Sequence, residues 1–370
     1  MKKFLICLIS LIFVVCTLGL IACGGGDQPP HTHVEASFGS DDTHHFSVCE
    51  CGETFNKKEH DYSSSDFDAL YHWAVCSCGK EHSKGEHQIR GAANVCSTCQ
   101  TTIISDADAL WYALSSVSSF SMHLSLSNDI DLADYDWQPI TIMDGNKVSC
   151  EIDGRGHSII NMNQSLFAET YNIIFKVRNL TFKDANVESH TVSDGTACAS
   201  LFSSEMLRKG VGCNYTFENV HVVDCNITSA KYGAAFVSYS NGGTVKVDKC
   251  SFKGTITGDG SVGVAVGHTN GNLYVNGLEV KEGSVIKNTI DLASEPRKAG
   301  AVLGTAAHSH DTLSGVQTVD VKNVTNKGQV VNINGVPNAQ AGDLVGRIVQ
   351  PSHDSDGCLT NGCQIFYIGD

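Results

Sequence analysis

The chain has 370 residues, 41% hydrophobic and 18% charged, a balance that fits a folded protein and excludes a disordered polyelectrolyte. Its formal net charge of −15 repels phosphate backbones and argues against general nucleic-acid binding. Sixteen cysteines are many for a reducing compartment, and their placement says more than their number.

The first segment, residues 1–22, reads as a leader. Lys2-Lys3 precede an apolar run from Phe4 to Ile21, the charged n-region and hydrophobic h-region of a signal peptide. The run is near the lower length limit for a membrane-spanning helix. Its ending decides the reading, because Leu20-Ile21-Ala22-Cys23 resembles the bacterial lipobox. The resemblance implies acylation of Cys23, a membrane as partner through that lipid, and an extracytoplasmic, cell-surface location for residues 23–370. A cleaved secretory signal with an incidental cysteine is the plainer alternative. Residues 23–30, with Gly24-Gly25-Gly26 and Pro29-Pro30, form a tether without helix-forming content.

Residues 31–102 repeat. His33, His45, Cys49 and Cys51 recur 27 positions later as His60, His72, Cys76 and Cys78; Gly52/Gly79, Lys57/Lys84 and Phe46/Trp73 keep the same offset. A third, shorter copy opens at His87 and ends in Cys96-x-x-Cys99. Apolar residues are too few here to build a core, so a disulfide or a metal is required. Cysteines one residue apart bond to each other only with strain, whereas both sulfurs can face one ion. Two sulfurs and two imidazoles satisfy tetrahedral Zn²⁺, giving two to three structural ions over the module. The first site takes its ligands from one copy (His33, His45, Cys49, Cys51) or shares them, with His60 closing it. The third copy, offering His87, Cys96 and Cys99, is a three-ligand site or a disulfide. Inter-copy disulfides remain the alternative, but they do not explain histidines recurring in register with cysteines. The pattern is similar to His/Cys repeats of surface proteins of anaerobic bacteria, a resemblance that implies a spacer or stalk.

Residues 103–370 form the last domain. Ser105 and Asp108 predict a helix start, and Leu110, Leu114 and Val117 share one face. Beyond it, two patterns alternate. One is small-apolar-apolar, as in Ser165-Leu166-Phe167, Ser200-Leu201-Phe202, Gly263-Val264-Ala265 and Gly300-Ala301-Val302. The other is an alternating strand, as in 177–182, 217–223, 245–252, 273–280 and 319–324. Recurrence of this kind predicts a mainly β solenoid, best a right-handed parallel β-helix with the helix capping its first coil; a β-sandwich built from hairpins is the alternative. Asn128 to Leu132, Trp137 to Ile140 and Ile152 to Ile160 resemble the opening coil of pectin-lyase-like β-helix proteins. The Gly-Val-Ala-Val-Gly and Gly-Ala-Val-Leu-Gly runs resemble GLUG repeats. Neither resemblance carries a catalytic residue set.

Two polar clusters, Asp153/Arg155/His157 and His308/His310/Asp311, read as turn and loop rather than as chemistry, and no catalytic residue is assigned. Cys225 and Cys250 read as packed thiols or a ladder disulfide, Cys358 and Cys363 as a disulfide clasping a turn, and Cys150, Cys198 and Cys213 as inert buried thiols. The composite expectation is a lipid-anchored surface protein with a zinc-stabilised stalk and a β-helix that binds carbohydrate or another surface polymer. A polysaccharide lyase or hydrolase of the same fold is the second reading, and a zinc-capturing lipoprotein the third.

Overall fold

The computed structural model describes residues 32–67, 71–90, 95–117, 122–143, 148–206, 213–289, 298–307, 318–331, 344–349 and 364–368. The leader, Cys23, the His308/His310/Asp311 cluster and the Cys358/Cys363 pair lie outside them. The chain divides into two compact units, one of residues 1–61 with 77–80 and the other of 62–76 with 81–370.

In the first unit β1 (Glu35–Ser40), β2 (His44–Cys49) and β3 (Thr54–Glu59) form an antiparallel sheet. In the second unit β4 (Ser64–Phe67), β5 (Tyr71–Val75) and β6 (Glu81–Glu86) repeat that sheet. One copy of the sequence repeat therefore corresponds to one meander. The shared offset of Lys57/Lys84 and Phe46/Trp73 also acquires a cause. Lys57 Nζ lies 5.9 Å from the Phe46 ring centre and Lys84 Nζ 4.2 Å from that of Trp73, so each copy covers its aromatic with a cation.

The remainder of the second unit is mainly β and dominated by parallel pairing, with a single helix among the described residues. β7 (Ile89–Arg90) pairs antiparallel with β8 (Val95–Cys96), and β8 with β9 (Thr101–Ile104). β9 then pairs in parallel with Met122–Leu126, so the last turn of the His/Cys repeat runs directly into the first strand of the parallel array. The intervening helix, α1 (Ala107–Ser115), buries Leu110, Ala113 and Leu114, and Val117 just beyond it is also buried. Its N-cap is Asp106, not Ser105: Asp106 Oδ1 accepts from the Ala109 N–H at 2.9 Å, while the Ser105 hydroxyl donates to the other Asp106 oxygen at 2.8 Å. A carboxylate is the better acceptor for an exposed helix start, and Asp108 adds first-turn charge.

Successive passes of the chain add strands to two long sheets, and the later ones also to a third. In one sheet Val148–Asp153, Ile173–Lys183, Asn214–Ser229, Thr244–Asp248, Asn272–Asn276 and Thr318–Lys322 pair in parallel and in register. In a second, Ile140–Ile142, Phe167–Thr170, Ser203–Met206, Val237–Ser240, Val266–Thr269, Leu303–Ala307 and Val345–Val349 pair in parallel, with one register shift between Ile140 and Thr141 at its start. A smaller sheet holds Ala197–Ala199, Tyr232–Ala234, Val262–Gly263 and Ala299–Gly300. Within the described array, the one antiparallel contact beyond β9 is the short pair His190–Thr191 with Ala197–Ala199. A hairpin-built sandwich does not describe this unit.

The small-apolar-apolar motifs stack on one another. Leu166 N–H donates to Leu201 O, Leu201 N–H to Ala235 O, and Ala265 N–H to Val302 O. Their aromatic members fill the interior: Phe202 meets Phe175 at 5.1 Å and 88° and Phe217 at 5.1 Å and 87°, edge to face in both cases. The small residue is needed because successive passes approach closely; a Cβ on Gly263 would lie 2.7 Å from Gly304 N and 2.8 Å from Leu303 Cα on the next pass. Corners are made by left-handed residues, Asn179, Asn219, Lys249, Gly277 and Asn323, which occupy equivalent places in successive passes. Asn tolerates that backbone better than most residues, and Asn219 Nδ2 donates to Asn179 Oδ1 at 2.9 Å, tying one corner to the next.

Candidate functional site

The cysteine turns of the repeat are built alike. After β2 the chain turns through Cys49-Glu50-Cys51-Gly52, with Gly52 N–H donating to Cys49 O at 2.8 Å. Gly52 has φ +87° and its counterpart Gly79 +85°, and a side chain there would be strained. In the first unit the ligand atoms of His33, Cys49 and Cys51 lie within 4.8 Å of one another. His33 Nδ1 is 3.6 Å from Cys51 Sγ, and His33 Nε2 is 3.1 Å from Glu53 Oε2.

The same unit brings together His45, His60 and Cys78. The two rings lie 5.7 Å apart, and His60 Nδ1 is 3.3 Å from Cys78 Sγ. His60 Nε2 is 2.9 Å from Asp41 O, which can only accept, so Nε2 carries the proton and Nδ1 keeps its lone pair toward the sulfur. Cys76, buried, stands two residues before Cys78 and is the second sulfur that the Cys-x-Cys spacing provides.

The second unit holds a complete set. The ligand atoms of His72, His87, Cys96 and Cys99 lie within 4.8 Å of one another. Cys96 Sγ is 3.7 Å from His72 Nδ1, and Cys99 Sγ is 3.4 Å from His87 Nδ1. Burial raises the Cys96 thiol, but hydrogen bonds from the Cys99 backbone, His87 and the Thr98 backbone outweigh it and bring it down to about 6. Burial, together with the neighbouring Cys96, raises Cys99. Two sulfurs thus compete for one negative charge, a conflict that a bound dication removes.

These placements differ from the sequence expectation in a regular way. No described cysteine pair forms a disulfide, so Cys96 and Cys99 are not bridged, and neither are Cys225 and Cys250. The third copy is complete because it borrows His72 from the second. His45 and His60 meet around Cys78, not around Cys49 and Cys51. The set around Cys99 therefore uses the opening histidine and the sulfurs of its own copy and the second histidine of the copy before, and His45 and His60 follow the same rule at Cys78. Sequence spacing could not supply this, because each copy's second histidine and its first sulfur lie four residues apart along one extended strand or just past its end, which holds them apart.

The Asp153/Arg155/His157 run is structural. Asp153, 1% exposed, pairs with Arg155 Nε at 3.2 Å and Arg178 Nη2 at 3.1 Å, and accepts from the Arg155 N–H at 3.0 Å. Cys225 and Cys250 are buried but not opposite each other: Cys225 pairs with Gly254, while the Val220 N–H donates to Cys250 Sγ at 3.4 Å. Burial pushes their thiols up to about 11 and about 12.

A second polar feature has no counterpart in the sequence reading. Along the seven-stranded sheet Glu169, Glu205, Tyr239, His268, Thr305 and Arg347 stand in register on successive passes. Their chain neighbours Thr170, Met206 and Ala306 are buried, and Met206 and Ala306 belong to the core, so strand alternation turns the ladder away from that core, where Glu169, Glu205 and Thr305 are themselves buried and Tyr239, His268 and Arg347 partly exposed. Tyr232 closes on it, with its ring 5.1 Å from Tyr239 and 4.8 Å from His268. Asn270 Nδ2 donates to Tyr239 Oη and to Asn241 Oδ1, both at 3.2 Å. Glu169 accepts from the Ser193 N–H at 2.9 Å and from its hydroxyl. Glu205 is 1% exposed, and its Oε2 has no hydrogen-bond partner. Burial first, then the charges of Asp194 and Glu169, raise its carboxyl to about 7. Burial also lowers His268 to about 4. A signal was present in the sequence: three positions after Phe202, Phe236, Ala265, Val302 and Leu344 stand Glu205, Tyr239, His268, Thr305 and Arg347.

Glu205 makes stability depend on pH in the direction opposite to an ion-paired carboxylate. Its folded value lies above that of the unfolded chain, so between about 4.5 and about 7 the native state holds the extra proton. Stability from this group falls as pH rises through that window. Glu205→Gln should flatten the slope in urea melts across it and stabilise the protein at pH 8; an unchanged slope would show that Glu205 is not the group responsible.

No family model matches the chain, and no curated protein matches it. Among solved structures, it is similar at 12% identity and a TM-score of 0.41 to a Bacteroides ovatus protein provisionally described as an immunoglobulin A1 protease, covering 68% of this chain and 85% of that one. It is similar at 11% identity and a TM-score of 0.36 to an IgA1 protease, covering 82% of this chain but 23% of the other.

Proposed function

We propose that the protein is a lipid-anchored cell-surface protein in which a zinc-stapled His/Cys module precedes a right-handed parallel β-helix that binds an extended polymer, carbohydrate in class. The observation that carries the binding part is the group of partly exposed rings, Tyr232, Tyr239 and His268, beside the buried carboxyls of Glu169 and Glu205. Aromatic rings beside amide and carboxyl groups match the alternating apolar faces and hydroxyl edges of sugars. Rungs about 4.8 Å apart repeat them along the sheet, as a polymer requires. The chemistry of the module supports zinc: its complete donor set is two imidazoles and two sulfurs, with no oxygen. Anchoring through Cys23 rests on the lipobox alone.

The test is a glycan array on the mature protein with Tyr239→Ala alongside. Binding by the wild type and a loss of at least about tenfold in the variant, the scale of one buried aromatic contact, support the reading; binding that ignores Tyr239 removes the ladder from it. A second reading, hydrolysis of such a polymer, is favoured by the adjacency of Glu169 and a Glu205 that holds its proton to near neutrality. Release of reducing ends by the wild type but not by Glu205→Gln would establish it.

A further inference from the structure

The turn between β1 and β2 does more than join two strands. Asp41 Oδ1 accepts from the Thr43 N–H at 2.8 Å and from the His44 N–H at 2.7 Å, while the Asp41 N–H donates to His44 O at 2.8 Å. One carboxylate thus closes residues 41–44 into a fixed loop, as aspartate does at the head of a turn. Lys57 Nζ, on β3, holds its other oxygen at 2.9 Å. Two carbonyl oxygens of the closed turn then hold His60. Thr43 O accepts from the His60 N–H at 3.0 Å, and Asp41 O from the ring Nε2 at 2.9 Å. Asp41 O also accepts from Nζ of Lys80, which stands two residues beyond Cys78, at 2.7 Å.

We infer that Asp41 is a positioning residue for the metal set around Cys78: its carboxylate fixes the turn whose backbone presents His60 to the sulfur. A carbonyl oxygen has two lone pairs and can serve two donors. At Asp41 O one donor is the ring whose Nδ1 lies 3.3 Å from Cys78 Sγ, and the other is a lysine on the cysteine's own segment. A single atom therefore gathers the histidine arm and the sulfur arm of the set. The His60 ring cannot turn Nε2 toward the metal without giving up Asp41 O, and its backbone cannot shift without giving up Thr43 O. A partner behind a ligating histidine fixes the tautomer and the ring orientation. The first group follows the same plan with a side chain in that place: Glu53 Oε2 lies 3.1 Å from His33 Nε2, and His33 Nδ1 faces Cys51. At His60 the partner is a turn that a side chain builds. The Asp41 carboxylate is 41% exposed, so its role comes from these hydrogen bonds and not from burial. Aspartate also recurs 27 positions on, at Asp68, with the offset of the histidines and sulfurs; Asp68 lies outside the described residues.

The inference rests on the module binding zinc, and the experiment separates the two. The zinc-loaded full-length protein is treated with a chelator and a thiol-alkylating reagent, and peptide mapping reads each cysteine by itself. In Asp41→Ala, Cys78 should be alkylated about 10- to 100-fold faster than in the wild type, the scale on which lost partners of ligating histidines act. Cys96 and Cys99 should keep their wild-type rates, and hydrogen exchange should show β1, β2 and β3 still protected. Asp41→Asn keeps the Oδ1 acceptor and loses only the charge facing Lys57, so it should stay within about fivefold of the wild type, the scale of an exposed ion pair. An unchanged Cys78 rate in Asp41→Ala, acceleration of Cys78 and Cys96 together, or acceleration accompanied by loss of protection in β1–β3 would overturn the positioning role. A measurement on the wild type tests it without any variant: nitrogen NMR should find His60 protonated at Nε2 and metal-bound at Nδ1, and metal on Nε2 would overturn it. Cysteines whose alkylation ignores added zinc throughout would remove the zinc reading itself.

Discussion

Stripping zinc from the protein, or replacing Cys96 with serine, is expected to unfold residues 71–104 while most of the parallel array stays folded. The His72/His87/Cys96/Cys99 set gathers ligands from β5, the segment after β6, β8 and the turn before β9. Little else holds these elements together. Apart from cysteines, the buried apolar side chains among the described residues of 71–104 are Trp73 and Ile104. Structural zinc sites contribute roughly 10–16 kcal/mol of apparent binding energy at neutral pH, far more than such a core can supply. Hydrogen exchange followed by mass spectrometry reads the outcome. Protection should vanish from Tyr71 to Ile104 and weaken in Met122–Leu126, which pairs with β9, but persist from Val148 to Asn288. Unchanged protection in β5 and β8 after complete zinc removal would mean that the set does not staple the fold.

Phe202→Ala should destabilise the parallel array more than any other single substitution. Phe202 is fully buried and lies within 5.1 to 5.6 Å, ring centre to ring centre, of Phe167, Phe175, Tyr215 and Phe217. Truncation removes its own burial and leaves a cavity where four rings converge, and backbones pinned in register on both sides cannot close it. The edge-to-face packing of the partner rings against Phe202 disappears with it, and a cost of about 3–5 kcal/mol follows. Thermal or urea unfolding measures it. A cost below about 1 kcal/mol would mean that neighbouring passes slide inward to fill the space, against the register seen here.

Features produced by local chemistry are legible along the chain. The 27-residue offset marks the meander, and the two glycines after the sulfurs mark its turns because a left-handed backbone demands them. The small-apolar-apolar motifs mark the stacked strands, since only small residues permit the close approach at Gly263. Helix α1 is legible too, but its cap lies one residue beyond the expected Ser105, because Ser105 and Asp106 both qualify and the stronger acceptor takes the role. Cys225 and Cys250 look equivalent for a similar reason: both follow a left-handed residue, Asp224 and Lys249, yet these stand at different corners of the turn, so the two thiols do not pair.

Read as a linear string, the chain yields an inventory and its periods: the donor types of the module, the recurrence of strands, and the excess of acid. Periodicity is enough for these, because strand alternation and turn chemistry are set by neighbours a few residues away. Two things emerge only once the chain is folded: which histidine serves which pair of sulfurs, and the sharing of one face by Glu169, Glu205, Tyr239 and His268. Both depend on residues on separate strands, 12 to 24 apart in the His/Cys pairs and further apart along the ladder, being brought together by the register between those strands.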